Sequence, residues 1–124
     1  MKPQNVMYFT EKEIEFVRLL IDIGTKKNVA QVLVFLANVS EATSRDIERG
    51  TDLRQPEVSL AMHYLISKEW IRMRENKAEG KGRPVKIYSL SKTIDKIMIS
   101  FEKEKKEQAK QQLARVQKLR DYIP

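Results

Sequence analysis

The chain contains no cysteine. That absence removes disulfide staples, thiolate metal sites and cysteine redox sensing together. Histidine is almost missing too: His63 is the single imidazole, so no metal centre and no cofactor is expected. Glycine is scarce, with four residues, and Gly80-Lys81-Gly82 lacks the rest of a phosphate-binding loop. No paired acid–base constellation compensates, which argues against an enzyme. Long hydrophobic runs are absent as well. The longest, residues 29–39, is too short to span a bilayer and is broken by Gln31 and Asn38. The opening Met-Lys-Pro-Gln-Asn leads into no apolar signal core. The expectation is a soluble, cytoplasmic protein with no membrane partner.

What is present is basic charge. Among 124 residues, 24 Lys and Arg face 17 Asp and Glu, a net of +7, which favours a polyanionic partner. The excess is uneven. Residues 1–54 are neutral overall, with 8 charges of each sign. Between Trp70 and Lys86 there are 6 basic and 2 acidic side chains, and residues 92–124 carry 9 and 5.

Hydrophobic spacing organises the chain. Thr10-Glu11-Lys12-Glu13 is a capping box, followed by Ile14, Val17, Leu20 and Ile21 at helical spacing and by Gly24 as a stop. A second helix is expected over about residues 26–38, with Val29, Val32, Leu33, Leu36 and Ala37 as its buried stripe, widened by Val34 and Phe35. Residues 40–43 read as a polar turn. Ser44 is the expected cap of a short helix to Arg49, and Gly50-Thr51 the next turn. Pro56 opens a fourth helix with Val58, Ala61, Met62, Leu65 and Ile66 inward. The period then changes. Residues 70–74 alternate as a strand, 78–84 form a glycine- and proline-bearing loop, and 85–90 make the return strand. Ser91 is the expected cap of a last helix reaching Tyr122, apolar at both ends and polar between Glu102 and Gln112.

Val58-Ser59, Met62, Leu65 and Trp70-Ile71, followed by Lys81-Gly82-Arg83-Pro84 and Tyr88-Ser89-Leu90-Ser91, carry a family resemblance. Their order and spacing resemble the winged helix-turn-helix of bacterial and archaeal regulators of the MarR, ArsR and TrmB-like types, over about residues 28–92. Glu69 departs from the pattern where the family often has Gly, and Met62 where it often has Leu. The resemblance implies a mainly α (α+β) fold: a winged helix-turn-helix over residues 1–91 with a two-stranded wing, and a long C-terminal dimerisation helix over 92–124. It implies a homodimeric, sequence-specific transcriptional regulator of double-stranded DNA, with repression by occlusion favoured because no further domain is visible.

The residue chemistry stands beside the resemblance. In such a motif the second helix of the pair lies in the major groove. Its outward residues here are Arg54, Gln55, Glu57, Ser59, Leu60 and His63. Gln suits adenine, Arg guanine, and Leu60 a thymine methyl. Glu57 has the chemistry to accept from cytosine, but its place in the first turn is better matched to the helix dipole. The basic wing residues Arg72, Arg74, Lys77, Lys81, Arg83 and Lys86 are expected at phosphates, giving affinity and salt dependence rather than base readout. For the dimer, Ile94, Ile97, Met98 and Phe101 at one end of the last helix and Leu113, Val116 and Leu119 at the other are too much apolar surface for a monomer, and the first helix is expected to join them. A protein-interaction module within transcription machinery is the main alternative. It would expose apolar side chains on the fourth helix, where only Leu60 is expected outside. RNA binding is poorly supported, since Tyr64 and Tyr88 are the main aromatics near the site. No residue marks an effector pocket.

Overall fold

The computed structural model describes residues 9–76 and 82–124. The described residues form five helices and three strands: α1 (Glu11–Asp22), α2 (Lys27–Ala37), β1 (Ala42–Thr43), α3 (Ser44–Thr51), α4 (Gln55–Ser67), β2 (Ile71–Asn76), β3 (Val85–Leu90) and α5 (Ile94–Asp121). The chain divides into two compact units, Met1–Lys92 and Thr93–Pro124.

Local chemistry sets the helix boundaries. The capping box of α1 is present: Glu13 N–H donates to Thr10 Oγ1 at 3.2 Å and Thr10 N–H to Glu13 Oε1 at 2.8 Å. Beyond Asp22, Gly24 takes φ 105°. Gly24 N–H then donates to the Ile21 carbonyl and Thr25 N–H to that of Leu20, a complete Schellman stop. The core is built on α2, whose Val29, Ala30, Val32, Leu33, Val34 and Leu36 are all buried. It packs against α1, α3 and α4, and being enclosed on several sides explains its nearly continuous apolar run. Ala37 is only half-buried. Of the α1 stripe, Val17 and Leu20 are buried, while Ile14 and Ile21 are exposed.

Several boundaries differ from expectation. Residues 42–43 are not a polar turn but strand β1, pairing antiparallel with β3 through Ala42–Tyr88 and Thr43–Ile87. Thr43, not Ser44, caps α3: Asp46 N–H donates to Thr43 Oγ1 and Thr43 N–H to Asp46 Oδ2, at 3.1 and 3.0 Å. Gly50 and Thr51 continue α3 instead of forming a turn, and the buried Thr51 hydroxyl donates to the Ile47 carbonyl at 2.7 Å. Thr93, not Ser91, caps α5. Ser91 is occupied elsewhere, its hydroxyl donating to the Glu69 carbonyl at 2.7 Å.

The sheet has the order β1-β3-β2, all antiparallel. Its attachment to α4 is tight. Glu69 N–H donates to the Ile66 carbonyl, Trp70 N–H to that of Leu65, and Ser91 N–H to that of Trp70. This is a second Schellman stop, with Glu69 at φ 64°, a conformation that suits glycine and strains a residue carrying Cβ. The sequence pattern that this chain resembles often has glycine there. Glu69→Gly is therefore expected to stabilise the fold by about 1 kcal/mol, the relief of strain outweighing the added chain entropy. A urea midpoint that falls or stays put would count against this account.

In the second unit α5 runs 28 residues, about 42 Å at ~1.5 Å per residue. Leu113, Val116 and Leu119 are exposed at 70%, 47% and 64%.

Candidate nucleic-acid interface

The proline of the fourth helix lies one residue inside it. α4 starts at Gln55, and Arg54 is its cap residue. Arg54 N–H donates to Glu57 Oε1 at 3.0 Å, while the Glu57 carbonyl accepts from Asn28 Nδ2 at 3.0 Å. Glu57 thus holds the helix start with its carboxylate, the role its first-turn position suggested, and ties α4 to α2 with its backbone.

Val58, Ala61, Met62 and Leu65 turn inward and are buried. Gln55, Leu60 and His63 are exposed, and Ser59 is half-buried. Ile66 was expected in the core but is exposed, as is Tyr64 beside the 67%-exposed Leu60. The outer surface of α4 therefore shows three apolar side chains rather than Leu60 alone. Ile66 lies four residues from the buried Met62 and borders the recess described next.

A recess of about 330 Å³ runs between α4 and the sheet. Gln55, Ser59, His63 and Ile66 line it from the helix, Met73 from β2, Lys86 and Tyr88 from β3, and Ser44 from the start of α3. Ser44 is a lining residue that sequence reasoning missed, since its only visible signal was that of a cap.

The hairpin register sorts the basic residues. Ile71, Met73 and Glu75 stand opposite Leu90, Tyr88 and Lys86, while Arg72, Arg74 and Asn76 stand opposite Ser89, Ile87 and Val85. Side chains alternate across a sheet, and Met73, Tyr88 and Lys86 line the α4 recess. Arg72 and Arg74 therefore lie on the other face. There Arg74 Nη2 sits 2.8 Å from Glu41 Oε1, and Arg72 Nη2 donates to the Ser91 carbonyl at 3.5 Å. Of the six basic residues expected to act as one group, Lys86 is on the side of α4, Arg72 and Arg74 are behind it, and Arg83 is exposed ahead of β3. Lys77 and Lys81 lie outside the described residues.

A second basic group escaped sequence reasoning in part. Arg45, Arg49 and Arg54 line a recess of about 410 Å³ on the α3 side of α4, together with Glu48, Asp52, Leu53 and Gln55. Gln55 borders both recesses, so the start of α4 is flanked by cationic side chains on either side. Arg45 and Arg49 were hidden because Asp46, Glu48 and Asp52 make their segment neutral by count.

Of the residues expected to pair two chains, Ile97 and Phe101 are buried. Ile94 and Met98 are half-buried. Leu113, Val116 and Leu119 remain uncovered, as do Tyr122 and Ile123. Among the described residues no cluster of His, Asp and Glu could hold a metal ion, and no helix is long and apolar enough to cross a membrane.

No protein-family model matches the chain, and no curated protein matches it by sequence. Solved structures do. A "possible transcriptional regulator" from Methanosarcina mazei Go1 is similar to it with a TM-score of 0.62 and 16% identity, over 97% of this chain and 99% of that one. The S. aureus MepR–DNA complex is similar with a TM-score of 0.51 and 19% identity, over 92% and 91%. With the helices and sheet described above, this likeness establishes the winged-helix fold with its long C-terminal helix.

Proposed function

We propose that the chain is a sequence-specific, double-stranded-DNA-binding transcriptional regulator, acting as a homodimeric repressor and not as an enzyme. The observation that carries this reading is the polar row Gln55, Ser59 and His63, spaced four residues apart on α4, with Lys86 on the same recess and arginines at the helix start. The row presents hydrogen-bonding groups to base edges, and the flanking cations suit the phosphates on either side. It is supported by a fold shared with the MepR–DNA complex. Glu57 is the weaker base reader of the group, since its Oε1 accepts from Arg54 N–H at the helix start. The dimer rests on the uncovered Leu113, Val116 and Leu119 of α5 and on Ile14, Leu19, Ile21 and Ile23 at α1. A two-fold pair would read half-sites about one helical turn apart.

Selection of bound sequences from a random duplex pool tests binding, spacing and symmetry together: an enriched inverted repeat is expected, and no enrichment would overturn the reading. Arg83→Ala with Lys86→Ala is expected to weaken binding to all sequences alike and to lower the slope of log K against log salt by about 2. A slope equal to that of the parent would remove these two residues from the phosphate contacts.

One observation favours a second reading, a protein-interaction module. Leu60, Tyr64 and Ile66 are all exposed on α4, more apolar surface than base reading needs. Absent retention on non-specific duplex at low salt would select it.

A further inference from the structure

His63 occupies a special position in a chain so poor in titratable groups near neutrality. It is the single histidine, and cysteine is absent. Of all side-chain types, only imidazole has an ordinary titration range between pH 5 and 8. That one imidazole sits on the exposed side of α4, in the row with Gln55 and Ser59 and on the same recess as Lys86.

The charged surroundings of this recess decide what a proton does there. From β3 the facing groups are Lys86, a cation, and Tyr88, a phenol. From β2 the carboxylate of Glu75 shares the sheet face, opposite Lys86. From α3 the lining residue is Ser44, with Arg45 next to it in the chain. On α4 itself the charged neighbours are Glu57, engaged at the helix start, and Lys68 beyond the helix end. Among the described residues no carboxylate lines the recess itself, whereas the cation Lys86 does.

We infer that DNA binding at this surface takes up a proton at His63. The inference rests on the DNA-binding reading above and adds its regulation. Phosphates brought against α4 replace a cationic neighbourhood with an anionic one, and a nearby anion favours the charged form of an imidazole. Linkage then requires the complex to tighten as pH falls. The proton comes from solvent, the imidazole becomes imidazolium, and no bond in the DNA changes.

The test is the dissociation constant for a 20-base-pair duplex, measured from pH 5.8 to 8.0 at fixed ionic strength. The parent, His63→Gln and His63→Lys are compared, with circular dichroism verifying that each is folded. The parent is expected to bind about five- to tenfold tighter at the acid end, the scale on which proton uptake by one group acts. His63→Gln is expected to bind weakly with a flat profile. His63→Lys, charged throughout, is expected to be flat and as tight as the acidic parent. A parent that binds DNA with no pH dependence overturns the proton uptake and leaves the DNA reading intact. A His63→Gln profile as steep as that of the parent overturns it too, by placing the proton elsewhere. A parent that binds no DNA at any pH overturns both.

Discussion

Gly50→Val is expected to cost the fold about 3 kcal/mol or more, enough to lower the thermal midpoint by well over ten degrees or to prevent folding. Gly50 lies inside α3 with an ordinary helical backbone, so conformational freedom is not why glycine is there. A Cβ at this position would lie 2.6 Å from Phe35 Cδ1 and 2.8 Å from Cζ, and would overlap Cε1. The Phe35 ring thus rests against the bare backbone of α3, and close approach of α2 to α3 depends on it. Alanine gains about 1 kcal/mol of helix propensity and can push the half-buried ring outward, so Gly50→Ala should be milder. Valine adds two methyl groups that have nowhere to go. Shortening the ring side chain, as in Phe35→Leu, should recover part of the loss in the Gly50→Ala background, giving a favourable coupling in a double-mutant cycle. Gly50→Val with a parental urea midpoint would show that the two helices are not in this close contact.

The second large effect concerns association. Leu113→Glu with Leu119→Glu is expected to turn a dimer into a monomer in sedimentation at micromolar concentration, with helical content retained. It is also expected to weaken DNA binding by about 100-fold or more. The stripe Leu113, Val116 and Leu119 is exposed, so charges there cost the isolated chain little, while a paired apolar seam would have to bury them. The loss on DNA follows from valency, because a tethered second half-site binds at an effective concentration near millimolar, which is worth about 10²- to 10⁴-fold. A parent chain that is already monomeric would sink this expectation and the dimer with it. A variant that dissociates yet binds DNA as tightly would separate the dimer from the reading of DNA.

The fold was largely legible because its strongest signals are local. The Thr10–Glu13 box, the glycine stop at Gly24 and the change of period at Trp70 each act over a few residues. What was missed involved longer-range or weaker cues. Strand β1 is two residues long, too short to show a period, and exists because β3 offers it a pairing edge. Thr43 caps α3 through an aspartate at the third position, where a glutamate is the familiar sign, and Ser44 beside it was the decoy. Gly50 looked like a turn because glycine usually marks one, whereas here it answers to Phe35, fifteen positions earlier.

The candidate site was legible in its residues and less so in its geometry. The row Gln55, Ser59 and His63 followed from helical spacing around the buried Val58, Ala61, Met62 and Leu65. The basic hairpin was counted as one patch, although strict alternation along β2 puts Arg72 and Arg74 on the face away from α4. Counting charge over a window discards the parity of position, which is what a strand uses. In the same way, equal numbers of acids and bases around α3 concealed the arginines that line one recess.

The hydrogen bonds joining Glu69 and Trp70 to Ser91 have a consequence for selectivity. They clamp the end of α4 to the residue that follows β3, so the helix and the base of the hairpin keep a set separation. On the duplex of the proposed function, such a body would act as a caliper. With α4 in one groove, β2 and β3 would meet the next phosphate run only where twist and groove width match that spacing. Part of the sequence preference would then come from base pairs between the two contacts, felt through how readily they deform rather than through any touch.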